Sequence, residues 1–288
     1  MKSKTLILAA AAGLAAGAPL LAQAGPKEDL KAFREYYMKR FPGVPLDEFA
    51  NGVYAIDAGM RAEWEQMEEF PPYELGLDIG KAEFYKKFKN GKSLADCFPD
   101  AEKGIKQNYP YWDPKRKEVI TLELAINECR KANGEKPYKW KKGKLAAVSA
   151  YIGYLSRGKR INVVVPEDDP DALAWYERGK RFFYAKRGQL NFSCADCHVA
   201  NPGRRIRANL LSPALGQVTH FPAYRKKWEA KGSGALAGFG TIQRRYTGCN
   251  KQVRAKPFKA QSVEYRSLEY FHTYMSNGLP INAPGVRM

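Results

Sequence analysis

The run Cys194-Ala195-Asp196-Cys197-His198 constrains this chain more than any other feature. Two thiols three positions apart share one turn, where each can form a thioether with a haem vinyl group, and the adjacent imidazole can reach iron as proximal ligand. Other readings of a Cys-x-x-Cys pair fail on context. A zinc half-site needs a second ligand pair, which the five cysteines and three histidines do not supply. A thioredoxin-type pair needs a βαβ setting, which the hydrophobic pattern lacks. One covalently bound haem c is therefore expected, held by Cys194 and Cys197 with His198 as an axial ligand.

The motif stands in the second of two related stretches. GKAEFYKKFKNGKSLADCF, from Gly80, resembles GKRFFYAKRGQLNFSCADCH, from Gly179, and each reads as an amphipathic helix running into a cysteine turn. At an offset of 100, Leu94 falls where Cys194 stands, Cys97 where Cys197 stands and Phe98 where His198 stands. Further on, at an offset of 120, Cys129 falls on Cys249, Lys136-Pro137-Tyr138-Lys139 on Lys256-Pro257-Phe258-Lys259, and AYIGYLSRG, ending at Gly158, on YFHTYMSNG, ending at Gly278. The difference places an insertion of about twenty residues near HFPAYRKKWEAKGSGALAGFG, whose glycines and charges predict a loop.

Each copy should then run helix, cysteine turn, long loops with a late cysteine, and a last helix stopped at a C-cap glycine. The expected fold class is mainly α: two tandem cytochrome c-like domains with long loops, the N-terminal one without haem. Residues 25–165 would hold an N-terminal extension and the degenerate copy, and 170–288 the haem-binding copy, with the proline-marked acidic stretch 160–177 as linker. The extension, about 25–77, is aromatic and helical in pattern. It is expected to pack on the first copy and carries no recognisable chemistry.

Lys2 and Lys4 precede an apolar run closing with Ala22-Gln23-Ala24, the pattern of a secretory signal (residues 1–24) cleaved after about Ala24. Gly13, Gly17 and Pro19 interrupt that run, which is short for a span of about 20 residues. No later stretch predicts a membrane span. The remaining 264 residues of 288 exceed one modest domain. Cleavage removes two lysines and no acid, taking the formal charge from +18 to +16, which favours anionic partners. Nucleic acid is set aside, because an exported redox protein meets acidic proteins and small anions instead.

In an oxidising compartment the remaining cysteines should pair or work. If Cys249 approaches the haem, the haem-free copy could bring together the equivalents of Cys197 and Cys249, so a Cys97–Cys129 disulfide is expected, with two free thiols as the alternative. Cys249 is then the odd cysteine of five, near Arg244, Arg245, Lys251, Arg254 and Lys256. Nearby cations favour thiolate, which is both nucleophile and iron ligand. Met275 and His272 align with Leu155 and Ile152 and read as core, while His220, in the insertion, stays open as another sixth ligand. The charged run from Arg225 to Lys231, with Tyr224 and Trp228, reads as a solvated face with anchors.

With its haem motif, its basic segment Arg245-Tyr246-Thr247-Gly248-Cys249 and its duplicated plan behind a signal sequence, the chain resembles the SoxA family. These are the catalytic cytochrome subunits of the periplasmic SoxAX complex of thiosulfate-oxidising bacteria. The resemblance covers most of the mature chain. It implies that Cys249 ligates the haem iron and is the active-site residue, carried as a persulfide, and that Arg245 guides the anionic substrate. It implies an L-cysteine S-thiosulfotransferase that couples thiosulfate oxidatively to a cysteine of the carrier SoxYZ, with two electrons leaving by way of SoxX, a small monohaem cytochrome. Some members hold a second haem in the N-terminal domain, and Leu94 and Phe98 place this chain with the single-haem type. A plain electron-transfer cytochrome and a carrier-free thiosulfate dehydrogenase are the alternatives.

Overall fold

The structure is a computed structural model that describes residues 25–206 and 209–287; the expected signal sequence lies outside the described residues. Ahead of the repeats come helix α1 (Pro26–Arg40), a 3-10 segment (Leu46–Ala55) and α2 (Ala58–Glu69). Pro26 opens α1, where a missing N–H costs nothing, and the Asp57 carboxylate caps α2 by accepting from the Met60 N–H. The first copy holds α3 (Glu74–Tyr85), α4 (Leu94–Cys97), the hairpin β1 (Tyr111–Asp113) and β2 (Glu118–Ile120), α5 (Leu122–Ala132) and α6 (Lys144–Leu155). The second repeats that order with α7 (Pro170–Tyr184), α8 (Cys194–His198) and the hairpin β3 (Arg205–Ile206) and β4 (Asn209–Leu210). After β5 (Ala223–Arg225), α9 (Lys226–Glu229) and β6 (Phe239–Gly240) it closes with α10 (Ile242–Gln252), α11 (Val263–Tyr274) and β7 (Val286–Arg287). No helix among the described residues is long and apolar enough to cross a membrane.

In each copy the first helix crosses the last at a glycine. A Cβ on Gly80 would lie 2.3 Å from the Ala147 carbonyl oxygen, and one on Gly179 would lie 2.0 Å from that of Ser267. Those contacts are with backbone, which cannot swing aside, so only a residue without a side chain lets the helices approach. The cysteine turns share a second device. The Ser93 and Ser193 N–H groups donate to Asp96 and Asp196 Oδ2 at 2.7 and 2.8 Å, the reciprocal half of a capping box that starts each short helix in the same place.

The late cysteines were expected in loops but lie on helices. Cys129 and Cys249 occupy equivalent turns of α5 and α10, whose buried faces hold Leu122 with Ile126 and Ile242 with Tyr246; in α10 that face is obscured by Gln243, Arg244 and Arg245 within it and by Gly248 after it. The insertion, read as a loop, contributes two strands of a three-stranded sheet ordered β6-β5-β7, with β5 and β7 parallel. Its partner strand comes from the far end of the chain, which no local pattern reveals.

The extension packs on the second copy, not chiefly on the first. Phe33, Tyr37 and Phe49 join its core, and the Tyr37 hydroxyl donates to the His198 carbonyl at 2.6 Å while accepting from the Ala214 N–H at 3.1 Å. α2 then bridges, since Trp64 and Met67 pack in a cluster that holds Ala146 of α6 and Tyr224 of β5. Adjacency in sequence misled here because a run of large aromatics needs the widest apolar face available.

Between the copies the chain pairs with itself around a local twofold. The Gly158 N–H donates to the Ile281 carbonyl and the Gly278 N–H to that of Ile161, at 2.9 and 2.8 Å. Both glycines have φ near +80° (+76° and +78°), and they close the turn after α6 and α11 rather than capping the helices directly. Beside this ladder lies a buried polar seam. The Ser149 hydroxyl donates to Glu123 at 2.7 Å, and the Gln243 amide donates to Glu269 at 2.9 Å. Burial, and after it the charge of Glu123, pushes the Glu269 carboxyl well up, against the opposing pull of Lys106.

The first copy's core closes over Phe84, Leu94, Phe98, Ile126 and Leu145, with the Cys97–Cys129 disulfide at its edge, joining residues 32 apart. A crosslink of that span restricts the unfolded chain by about 3 to 4 kcal/mol. The Cys97→Ser, Cys129→Ser double variant should therefore lose about that much in chemical denaturation; an unchanged unfolding free energy would contradict this contribution. A raised carboxyl pKa means the folded chain holds that proton more tightly than the unfolded one. The contribution of Glu269 is thus complete below the ordinary glutamate value of 4.5 and is lost as pH rises through neutrality. Melting temperatures measured from about pH 5 to pH 8 should fall more steeply for the native chain than for Glu269→Gln; parallel curves would contradict it.

Candidate haem site and adjoining anion pocket

The Ser193–Asp196 capping box sets α8 so that Cys194, Cys197 and His198 emerge from a single turn. His198 is buried, and its Nδ1–H donates to the Ser212 carbonyl at 2.9 Å, which leaves Nε2 as the unprotonated nitrogen. Burial also holds the imidazole down at about 4, so it is neutral over the physiological range, as a metal ligand must be. Burial pushes the Cys194 thiol up to about 12 and raises that of Cys197 in the same direction, the neighbouring Cys249 adding to both.

These groups line one cleft whose other walls are mainly apolar, among them Phe183, Phe192, Leu211, Phe221 and Leu268. Cys249 of α10 lines it too. The three cysteines that are free among the described residues therefore converge with the His198 imidazole on an apolar cleft. That donor set fits haem c: two thiols for the vinyl groups, one nitrogen and one further sulfur for iron. His272 also lines the cleft, accepting from the Tyr246 hydroxyl at 3.1 Å, so it is more than the core residue its alignment with Ile152 suggested. Met275 is buried in the core. His220 lines neither this cleft nor the next cavity. It is buried 5.7 Å from the Trp64 ring and beside the Asn282 amide, which rules it out as an iron ligand in this arrangement.

Because α10 is a helix, Arg245 and Cys249, four apart, share a face. Arg245 lines the cleft, whereas Arg244 turns away onto the Trp228 ring, 4.1 Å from its centroid, and Lys251, Arg254 and Lys256 are exposed. Arg245 and His198 also border a second cavity, and this one is basic and mixed in polarity, walled by Arg225, Arg287, Tyr54 and Ser212. Burial draws the Arg225 guanidinium down to about 9, with Arg245 adding repulsion, and burial likewise lowers Arg287. Sequence reasoning missed both arginines. Arg225 lies in the charged run read as solvated, and only the β5–β7 pairing sets it beside Arg287. It missed Tyr54 and Met60 of the extension as well, which help to wall this cavity.

A mainly apolar cleft with sulfur and imidazole donors, joined to a basic pocket, suits redox chemistry on a small anion. The family model described as the SoxA/TsdA cytochrome c domain matches residues 80–161, the copy that lacks the haem motif. The chain is 55% identical over 259 residues to the L-cysteine S-thiosulfotransferase subunit SoxA of Chlorobaculum tepidum, covering 90% of this chain and 87% of that protein. It is 52% identical over 264 residues to the subunit of the same name from Allochromatium vinosum, covering 92% of this chain and 91% of that one. Among solved structures it resembles the crystal structure of SoxXA from P. pantotrophus with a TM-score of 0.69 and 30% identity, over 79% of this chain and 84% of that one. With more than half of its residues shared over nine-tenths of its length, the chain belongs to the SoxA family.

Proposed function

We propose that this chain is the L-cysteine S-thiosulfotransferase subunit of a periplasmic thiosulfate-oxidising complex, and that it joins thiosulfate to a cysteine of a SoxYZ carrier with a SoxX cytochrome as its electron-accepting partner. The observation that carries the reading is the position of Arg245 and Cys249 on one face of α10, where both border the haem cleft and Arg245 also borders the basic pocket. Thiosulfate is a small dianion with an oxygen-rich sulfonate end and a nucleophilic outer sulfur. A guanidinium that holds the sulfonate oxygens by charge-assisted hydrogen bonds leaves the outer sulfur free to face Cys249.

Coupling forms a sulfur–sulfur bond between thiosulfate and a thiol and releases one proton and two electrons. Cys194 and Cys197 would hold haem c covalently, His198 and Cys249 would be the residues that face its iron, and the group would supply the redox capacity for those electrons. Cys249, carrying an additional sulfur as a persulfide, is the covalent participant that divides one difficult coupling into two steps. His198 is fixed in the tautomer that offers Nε2 to iron, and the apolar lining keeps water from the reacting sulfurs.

In this reading the chain holds one haem. Residues 170–288 form the catalytic cytochrome c unit and 25–165 the extension with a haem-free copy, where Leu94 and Phe98 fill the space of a thiol and an imidazole. Residues 1–24 direct export and are removed. The three arginines beside the haem cleft favour this over a plain electron relay, which has no use for an anion pocket.

The test uses the haem-loaded chain with its SoxX partner, thiosulfate and the SoxYZ carrier, read by the intact mass of the carrier. Cys249→Ala should abolish the thiosulfate adduct while keeping covalent haem, and Arg245→Gln should raise KM for thiosulfate about tenfold or more without slowing electron exchange with a cytochrome. Undiminished adduct formation by Cys249→Ala would refute the assignment. Tetrathionate formed without any carrier adduct would favour the dehydrogenase instead.

A further inference from the structure

The basic cavity beside the haem cleft holds more cation than the reading above uses. Arg287 enters it from β7, the last strand, and is fixed on two sides: Nη1 donates to the Asn51 carbonyl at 3.0 Å, and the guanidinium lies 5.1 Å from the centre of the Tyr54 ring. The parallel pairing of β5 and β7 sets it opposite Arg225. Tyr54 is also a side-chain hydrogen-bond partner of Arg287, but one of the three guanidinium nitrogens, Nη2, is buried without a partner. The extension's backbone is shaped to make room for it, because a Cβ on Gly52, which has φ +62°, would lie 2.7 Å from that atom. Glu68 bears on Arg287 but already accepts from Tyr73, Trp64 and the Val286 N–H.

Like charges gathered out of water are costly unless an anion joins them. We propose that Arg287 is a second substrate-binding residue, and that its Nη2 and the Arg245 guanidinium together take the sulfonate end of thiosulfate. Planar guanidinium forks match the oxygen edges of a tetrahedral oxyanion. Arg245 stands one helical turn before Cys249, so an anion bridging the two arginines sits in the cavity that adjoins the cleft, with its outer sulfur toward the Cys249 sulfur. This deepens the function proposed above and rests on it for the identity of the anion. It also gives the extension a role: Asn51, Gly52 and Tyr54 hold the guanidinium in place.

The experiment measures thiosulfate binding to the haem-loaded complex by calorimetry at low ionic strength, alongside coupling kinetics, for the native chain, Arg287→Gln and Arg287→Lys. For the Gln variant Kd and KM should both rise about tenfold or more, with kcat, haem absorption and reduction potential unchanged. The Lys variant, which keeps the charge but not the fork, should show a severalfold rise, and it carries the test if the Gln variant fails to fold. Unchanged Kd in a folded variant overturns the proposal. So does an unchanged Kd with a shifted reduction potential, which would place a haem propionate against Arg287. If the native complex binds thiosulfate in an Arg287-dependent way but forms no carrier adduct, the anion site stands and the proposed function falls; adduct formation indifferent to Arg287 does the reverse.

Discussion

The crossing of α7 over α11 at Gly179 is the contact from which the rest of the second copy is built. A backbone carbonyl lies so near the glycine Cα that no side chain fits between the helices. After that crossing α7 ends at Tyr184, and the capping box of Ser193 and Asp196 then starts the turn carrying Cys194, Cys197 and His198. The same contact at Gly80 organises the first copy, so two sites of similar frame acquired different contents. One is filled by Leu94, Phe98 and a disulfide; the other is a cleft lined by three sulfurs and two imidazoles.

What the sequence made legible was whatever depends on short-range spacing or on comparison between the copies. The thiol pair with its histidine, the correspondence of Cys129 with Cys249 and the helical order of each copy all follow from residues within one or two turns of each other, or from a constant offset. Helix α10 was misread because Thr247-Gly248 and a dense run of cations look like a loop, whereas burial of Ile242 and Tyr246 decides the matter. Reading it as a loop hid the reason that Arg245 and Cys249 line the same cleft, which is the periodicity of a helix.

The remainder was illegible because it depends on pairings between distant parts of the chain. β7 meets β5 across some sixty residues and brings Arg287 to Arg225. The extension crosses to the second copy, where Tyr37 ties the backbone of His198 to Ala214 and Tyr54 walls the basic pocket. Neither pairing leaves a local mark. The site is thus assembled from three places: a repeat that supplies the cofactor cleft, and two terminal segments that turn one side of it into a basic pocket.

The account's central claim is that one copy holds haem and the other cannot. Intact mass of the purified mature chain, followed by mapping of its haem-bearing peptides, tests this most directly. The account predicts a single haem, carried on the peptide that holds Cys194 and Cys197, with Cys97 and Cys129 linked to each other. A second haem, or a haem attached through Cys97, would contradict it.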